Sequence, residues 1–341
     1  MKAQQVIYTW DYHHGQATRV IAGGLPPIRG DTMAQKQDYF AAHCDHVRTS
    51  MMQEPRGHAN MLGAVLTDPA TPDGDIGLLF LSPQGFLAMC GDSTFSATAA
   101  LIDSGVVPYA EPDGEMDLKI DTVAGRVDVR VVLRSGEPVA ITFNNVPSYS
   151  LGDQVIEVEG VGAVEAQLGY GGLTYAFIEA RALGIASLAH VARDELLDIG
   201  TRALLSARAQ TDLPSYIGPD GLGDSRPVDL ITLCEPLDGE RGMRVANFYA
   251  PRTCGRTPSG TGLAARTAVE VAAGRLGAGE TYIQESLVGL RFVSTVAETG
   301  LHRAGDGPPG VVPAVTARSY LMGTAQWVLH PDDPFRDGFI F

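Results

Sequence analysis

Two short stretches of this chain share one pattern that constrains the fold more than any other feature. Residues 92–104 (DSTFSATAALIDS) follow Cys90–Gly91 and stop before Gly105, and residues 261–273 (TGLAARTAVEVAA) follow Ser259–Gly260 and stop before Gly274. Both are rich in Ala and carry apolar residues around much of their circumference, which predicts helices buried on most sides. Both open on glycine and small hydroxyl residues, suited to an N-terminus packed against a ligand. Both end at a glycine suited to the C′ position. The pair reads as a weak internal duplication: two β-rich halves, each with a buried helix whose first turn follows a small nucleophilic residue.

Most of the remaining chain has strand patterning. Residues 117–134 alternate apolar and polar around a Gly turn, as a hairpin does, and 138–147 continue the pattern. Residues 153–180 repeat it, with turns at Gly160, Gly162 and the pair Gly171–Gly172. Short strands are expected at 228–236, 243–250, 281–297 and 311–329, with few parallel βαβ units. Three further helical stretches are expected, at 32–52, at 190–208, which is clearly amphipathic, and less clearly near 183–187. Residues 212–227 and 302–311 read as loops from their Gly and Pro content. A length of 341 residues suffices for two packed lobes, since single cores stop growing at about 250–300 residues.

Composition narrows the function class. The hydrophobic fraction of 45% and charged fraction of 19% are those of a globular protein. A net charge of −15 repels phosphate backbones and anionic membrane surfaces, so neither nucleic acid nor membrane is an expected partner. The N-terminus has no apolar run long enough for a signal peptide, and no stretch reaches the about 18 apolar residues of a membrane span. The four cysteines, Cys44, Cys90, Cys234 and Cys254, form neither a CxxC pair nor a zinc spacing. Scattered cysteines suggest reduced thiols and a cytoplasmic chain, with Cys44 and Cys234 as packing residues. No P-loop or HExxH motif is present, and no cofactor or metal is expected.

The chemistry lies at the two helix starts. A thiol at a helix N-terminus sits in positive potential, which is expected to lower its pKa. First-turn N–H groups can hold a carboxylate and stabilise the charge that develops when an α-proton leaves. By spacing alone, Cys90 in MCG reads first as a buried structural cysteine. A second set of motifs changes that weight. EPRGHANMLGAVL (54–66), LAMCGDST (87–94), IDTVAGRV (120–127), LGYGGLTYAFIEA (168–180), GRTPSGTGLAAR (255–266), ESLVGLRF (285–292) and HPDDPFRDGFIF (330–341) occur in this order. Together they resemble the proline racemase family along nearly the whole chain.

The resemblance implies an α+β fold of two pseudo-symmetric lobes, each a curled β structure around a central helix, as in diaminopimelate epimerase, with the active site between lobes. The first lobe is expected over 1–148 plus about 325–341 and carries Cys90; the second, over 149–324, carries Ser259. In the family, a residue at each helix start works on opposite faces of the α-carbon of a proline-like imino acid. The family's MCGH places its Cys on Cys90, and DRSPCGTG places its second Cys on Ser259. Carboxylate-binding N–H groups fall on Gly91, Asp92, Gly260 and Thr261. A homodimer is common in the family.

The chain departs from the family at pocket positions. Asp92 replaces the His of MCGH, Gly255 replaces the Asp that opens the second motif, and Ser259 replaces the second Cys; DYHHGQATR (11–19) is one residue short. Ser is a poor acid and base near neutral pH unless another group activates it, whereas a dehydratase need not return a proton to the second face. The family's dehydratase branch, acting on trans-3-hydroxy-L-proline, carries Thr there. The expectation is therefore a lyase, with Cys90 as base, ahead of a 4-hydroxyproline 2-epimerase or proline racemase; a non-catalytic imino-acid binder is the third reading. The family's His and Asp contact the ring nitrogen, so Asp92 either restores a partner for a cationic amine lost at Gly255 or simply N-caps its helix. Near Cys90 it would also raise the thiol pKa. Cys254 is expected to pack its loop. His13 and His14 read either as ligands or, as is usual for an adjacent pair near a strand end, as structural or exposed, and His58 as a support of the first lobe. Tyr170, Gly171 and Gly172 are expected to form a turn between lobes.

Overall fold

The computed structural model describes residues 4–211, 228–301 and 309–340. The loop expected at 212–227, and most of the one expected at 302–311, lie outside the described residues. The chain divides into two compact units, Met1–Thr142 with Ala317–Phe341, and Phe143–Thr316. None of the described helices is long and apolar enough to cross a membrane.

The first unit begins with β1 (Gln5–His13) and β2 (Ala17–Gly23), an antiparallel pair. Helix α1 (Met33–Met52), whose Thr32 hydroxyl accepts from Gln35 N at 3.2 Å, then leads to β3 (Leu62–Thr67) and β4 (Ile76–Leu81). A two-residue strand, β5 (Phe86–Leu87), precedes α2 (Gly91–Asp103), β6 (Gly114–Thr122) and β7 (Gly125–Arg134). The strand β8 (Glu137–Asn144) closes this stretch. β2 and β3 are parallel across α1, and β4 and β6 are parallel across α2. Helix α1 buries Met33, Phe40, Cys44, Val47 and Met51 at helical spacing, which gives the unit one core with Val65, Leu79 and Leu81.

The second unit repeats this order. It runs β9 (Tyr149–Val158), β10 (Gly162–Tyr170), β11 (Thr174–Glu179), α3 (Arg193–Gln210), β12 (Leu230–Pro236) and β13 (Gly242–Ala250). The short β14 (Thr253–Cys254) then leads to α4 (Gly260–Ala272), β15 (Thr281–Ser286), β16 (Arg291–Leu301) and β17 (Gly310–Ala317). β11 and β12 are parallel across α3, and β13 and β15 are parallel across α4. The core joins Ile156, Ile178, Leu196, Leu204, Ile231 and Phe248. The duplication is thus a repeated hydrogen-bonding order, with two parallel crossovers in each unit.

Those four crossovers correct the expectation of few βαβ units. Strands in such positions are covered on both faces and lose the polar alternation that reveals a strand; IGLLFL in β4 is an example. The last strand, β18 (Tyr320–Leu329), lies antiparallel to β1 over its length, from His13 opposite Tyr320 to Gln5 opposite Leu329. The segment Ala317–Phe341, which holds this strand, groups with the first unit. The turn at Gly171–Gly172 joins β10 to β11 inside the second unit, which corrects its expected place between lobes.

Three of the family motifs have a structural explanation. Arg56 of EPRGH pairs with Asp333 of HPDDPFR at 2.6 Å, and Arg19 binds Asp11 and the carbonyls of Met51 and Arg56 at 2.7–2.9 Å. IDTVAGRV is the β6–β7 turn, where Asp121 accepts from Ala70 and Thr71 N–H groups and pairs with Arg126 at 2.8 Å.

Candidate active site

Both buried helices form as their composition predicts. In α2 every residue from Gly91 to Ile102 is buried, and in α4 every residue from Gly260 to Glu270. α2 packs on β1, β2, β3 and β18; α4 packs on β9, β10, β11, β15 and β16. Gly105 and Gly274 follow the helix ends with φ of 73° and 71°, the left-handed conformation that terminates a helix.

Cys90 is the N-cap of α2, and its Sγ accepts from Ser93 N at 3.4 Å. Asp92 sits one residue inside the first turn, so the reading of Asp92 as the cap is corrected: the thiol fills that position. The Asp92 carboxylate instead meets His14 Nε2 at 3.0 Å, with both side chains buried. His14 Nδ1 lies 3.4 Å from Ser96 Oγ, which is 3.0 Å from Ser319 Oγ. Ser319 donates to the His13 carbonyl at 3.2 Å. His14 therefore belongs to the site's wall, not to the surface. The residues next to it in sequence gave no sign of this, because the contact is made by a helix nearly 80 residues away.

The thiol does not behave as a helix N-terminus alone predicts. Burial, and then the Asp92 charge, push Cys90 up to about 12, against the lowering effect of hydrogen bonds from Ser93 and Asp92. The lowering expected from the helix start is outweighed by desolvation, and the rise expected from a nearby Asp92 adds to it. Cys254, at the end of β14, is likewise pushed up to about 12 by burial, and Cys234 to about 12.

Ser259 is the N-cap of α4, with its Oγ accepting from Gly262 N at 3.2 Å. Its φ of 69° is unusual for a residue with a Cβ, and such conformations persist only where the surroundings impose them. The imposing group is Asn247 on β13. Its side-chain amide donates to the carbonyls of Thr257 and Pro258 at 3.1 Å each, and its carbonyl oxygens hold Thr232 Oγ1 at 2.7 Å and Gly255 N at 2.8 Å. Gly255 is thus a backbone anchor of the loop and offers no side chain to a ligand. Tyr175 on β11, fully buried, places its hydroxyl 2.9 Å from Ser259 Oγ and 2.6 Å from Thr261 Oγ1. Neither Tyr175 nor Asn247 was singled out from sequence.

Each unit therefore presents the same device: a side-chain acceptor at the cap of a buried helix, Cys90 ahead of Gly91 and Asp92 in one and Ser259 ahead of Gly260 and Thr261 in the other. A sequence profile of the family described as proline racemase matches residues 10–340. The chain belongs to the proline racemase family. It is 38% identical to a 4-hydroxyproline 2-epimerase of Streptosporangium roseum over 347 residues, covering all of both chains. It is 33% identical to a proline racemase of Clostridioides difficile, covering 100% of this chain and 99% of the other. A crystal structure of a hydroxyproline epimerase from Agrobacterium vitis, with bound trans-4-hydroxy-L-proline, superposes with a TM-score of 0.89 at 26% identity, covering 99% of this chain and 95% of that one. These relatives are isomerases, which overturns the expectation that a lyase is favoured. The error came from treating Ser259 as an isolated hydroxyl, when another hydroxyl lies within hydrogen-bond reach.

Proposed function

We propose that the chain is a cofactor-independent 4-hydroxyproline 2-epimerase, inverting the α-carbon of a small imino acid with Cys90 on one face and Ser259 on the other. The observation that carries the reaction class is the duplicated helix start, because inversion needs one acid–base group for each face and a fixed carboxylate. The substrate is assigned from the relatives: a full-length match to a 4-hydroxyproline 2-epimerase, and a structural neighbour holding trans-4-hydroxy-L-proline.

In this reading the N–H groups of Gly91, Asp92, Gly260 and Thr261 hold the substrate carboxylate. Asp92 receives the cationic ring nitrogen, a role the side-chain-free Gly255 cannot share. That ammonium offsets the Asp92 charge that raises the Cys90 thiol, so binding itself shifts Cys90 toward the thiolate that abstracts the proton. His14 holds Asp92 in place at 3.0 Å.

Incubating the protein with trans-4-hydroxy-L-proline in D2O, with L-proline alongside, tests this by proton NMR. The expected result is α-deuteration with appearance of the 2-epimer, faster for the hydroxylated substrate. Full retention of the α-proton in both compounds would overturn the assignment.

A further inference from the structure

We propose that Tyr175 is the proton partner of Ser259, so that a Tyr175–Ser259 hydroxyl pair, not the serine alone, serves the second face of the α-carbon. The inference rests on the reading of Ser259 as one of the two acid–base groups. It deepens that reading by supplying what an unassisted serine lacks.

The geometry comes from three elements of the second unit. β11 carries Tyr175, whose ring stacks on Phe177 with centroids 5.8 Å apart and planes 14° from parallel. The ring is thereby fixed in direction, with its oxygen at the N-terminal end of α4. There it meets Ser259 Oγ at 2.9 Å and Thr261 Oγ1 at 2.6 Å. Gly262 makes the approach possible: a Cβ at that position would lie 3.0 Å from Tyr175 Cε1 and 3.1 Å from Ser259 Cβ. The loop anchored by Asn247 fixes Ser259 from the other side and holds it at a φ of 69°.

The hydrogen bonds fit a donor relay. Ser259 Oγ accepts from Gly262 N. With the Tyr175 hydroxyl also donating to it, the serine's own proton is left to point at a substrate. An aliphatic alcohol is a far weaker acid than a phenol, whose reference pKa is about 10. Linking the two lets negative charge finish on the phenol instead of the serine. The phenolate oxygen is met by the Thr261 hydroxyl and by the positive end of α4.

The step balances. After Cys90 has taken the α-proton on its face, the carbanion forms a C–H bond with the Ser259 hydroxyl proton on the other face. The Ser259 O–H bond breaks as Ser259 Oγ takes the proton from Tyr175 Oη, and Tyr175 is left as the phenolate. Solvent then returns one proton to Tyr175 and removes one from Cys90. In the opposite direction the phenolate receives the abstracted proton through Ser259, and Cys90 donates. No oxidant, reductant or second substrate is involved. Tyr175 acts through Ser259 and is in that sense a positioning residue, with a proton to give.

The test is Tyr175→Phe in the full chain, with trans-4-hydroxy-L-proline and its 2-epimer each incubated in D2O. Proton NMR reads α-exchange with retention separately from inversion. Inversion is expected to fall about 100-fold or more, the usual contribution of a general acid–base group, while KM changes less than threefold. The epimer whose α-proton faces Cys90 keeps its exchange with retention; the other loses it. A second pair of variants separates chemistry from packing. A thiol has a reference pKa of about 8.5 and does not need the phenol. Adding Tyr175→Phe to Ser259→Cys should therefore cost less than tenfold in inversion. Inversion by Tyr175→Phe within threefold of wild type would overturn the inference and leave the epimerase reading standing. An equal loss in both backgrounds would overturn it as well, assigning Tyr175 to packing. A wild-type protein that exchanges no α-proton would overturn both.

Discussion

At the scale of single residues, the contact that most sets the first half-site is His14 with Asp92. Asp92 raises the Cys90 thiol, and under the proposed function it also offers a partner to a cationic amine, an effect of opposite sign. Asp92→Asn should separate them. Without the charge, Cys90 moves down from about 12 toward its ordinary value, so alkylation of Cys90 by iodoacetamide, followed by peptide mass spectrometry, should become faster at pH 8 and show a lower midpoint. Access to the buried thiol is common to both proteins and cancels in the comparison. For the same variant KM for trans-4-hydroxy-L-proline should rise about tenfold or more, the equivalent of about 1.4 kcal/mol. An unchanged alkylation profile would mean that burial alone raises the Cys90 thiol. The residue types at the two helix starts were legible in the sequence because capping is a local property. Their partners were not. His14, Tyr175 and Asn247 reach the starts through tertiary contacts, and nothing in their own neighbourhoods marks them.

At the scale of elements, the site is held by how closely a turn approaches α4. Gly171, in the turn between β10 and β11, has no room for a side chain: a Cβ would fall 2.3 Å from the Thr261 carbonyl oxygen and 2.6 Å from Ala265 N. Both are backbone atoms of a helix packed on every side, so neither can yield alone. Asn145 fixes the turn from the other side, donating to the Gly171 carbonyl at 2.8 Å. Gly171→Ala should cost about 2 kcal/mol of stability, within the range for overpacking, and should cut activity by more than stability explains, because the displaced segment begins at Thr261. Thermal melts and turnover on the same preparation check this; a variant with wild-type turnover would show that the helix start tolerates the shift. The helices were legible from composition, and the hairpin at β6–β7 from alternation. The parallel strands were not, because burial on both faces removes the alternation and leaves only short apolar runs.

At the scale of the whole molecule, both units fasten their central elements with carboxylates held below their ordinary pKa. In the first unit it is Asp121: burial alone would raise it, but hydrogen bonds from Arg126 and Thr71 outweigh that. In the second it is Glu270 within α4, where burial is outweighed by Arg275 and Arg266. Arg275 Nε lies 2.6 Å from Glu270, and Arg266, itself buried, pairs with the same carboxylate. A carboxyl with a depressed folded pKa contributes stability that is fully present above its unfolded value and is lost as pH falls through the folded one. The ordinary values are 3.8 for Asp and 4.5 for Glu, so the melting temperature should hold from neutral pH down to about pH 5 and then drop as acidity increases. Glu270→Gln isolates one contribution. At pH 7 it should cost about 3 kcal/mol, because Arg266 is left buried without its charged partner. Below pH 4.5 the unfolded chain's Glu270 carboxyl takes up a proton before the folded one does, and the gap between the two melting curves should narrow. Parallel curves from pH 7 to pH 3 would place the acid sensitivity elsewhere, in carboxylates such as Glu285 that are held low by Arg244 and Arg291.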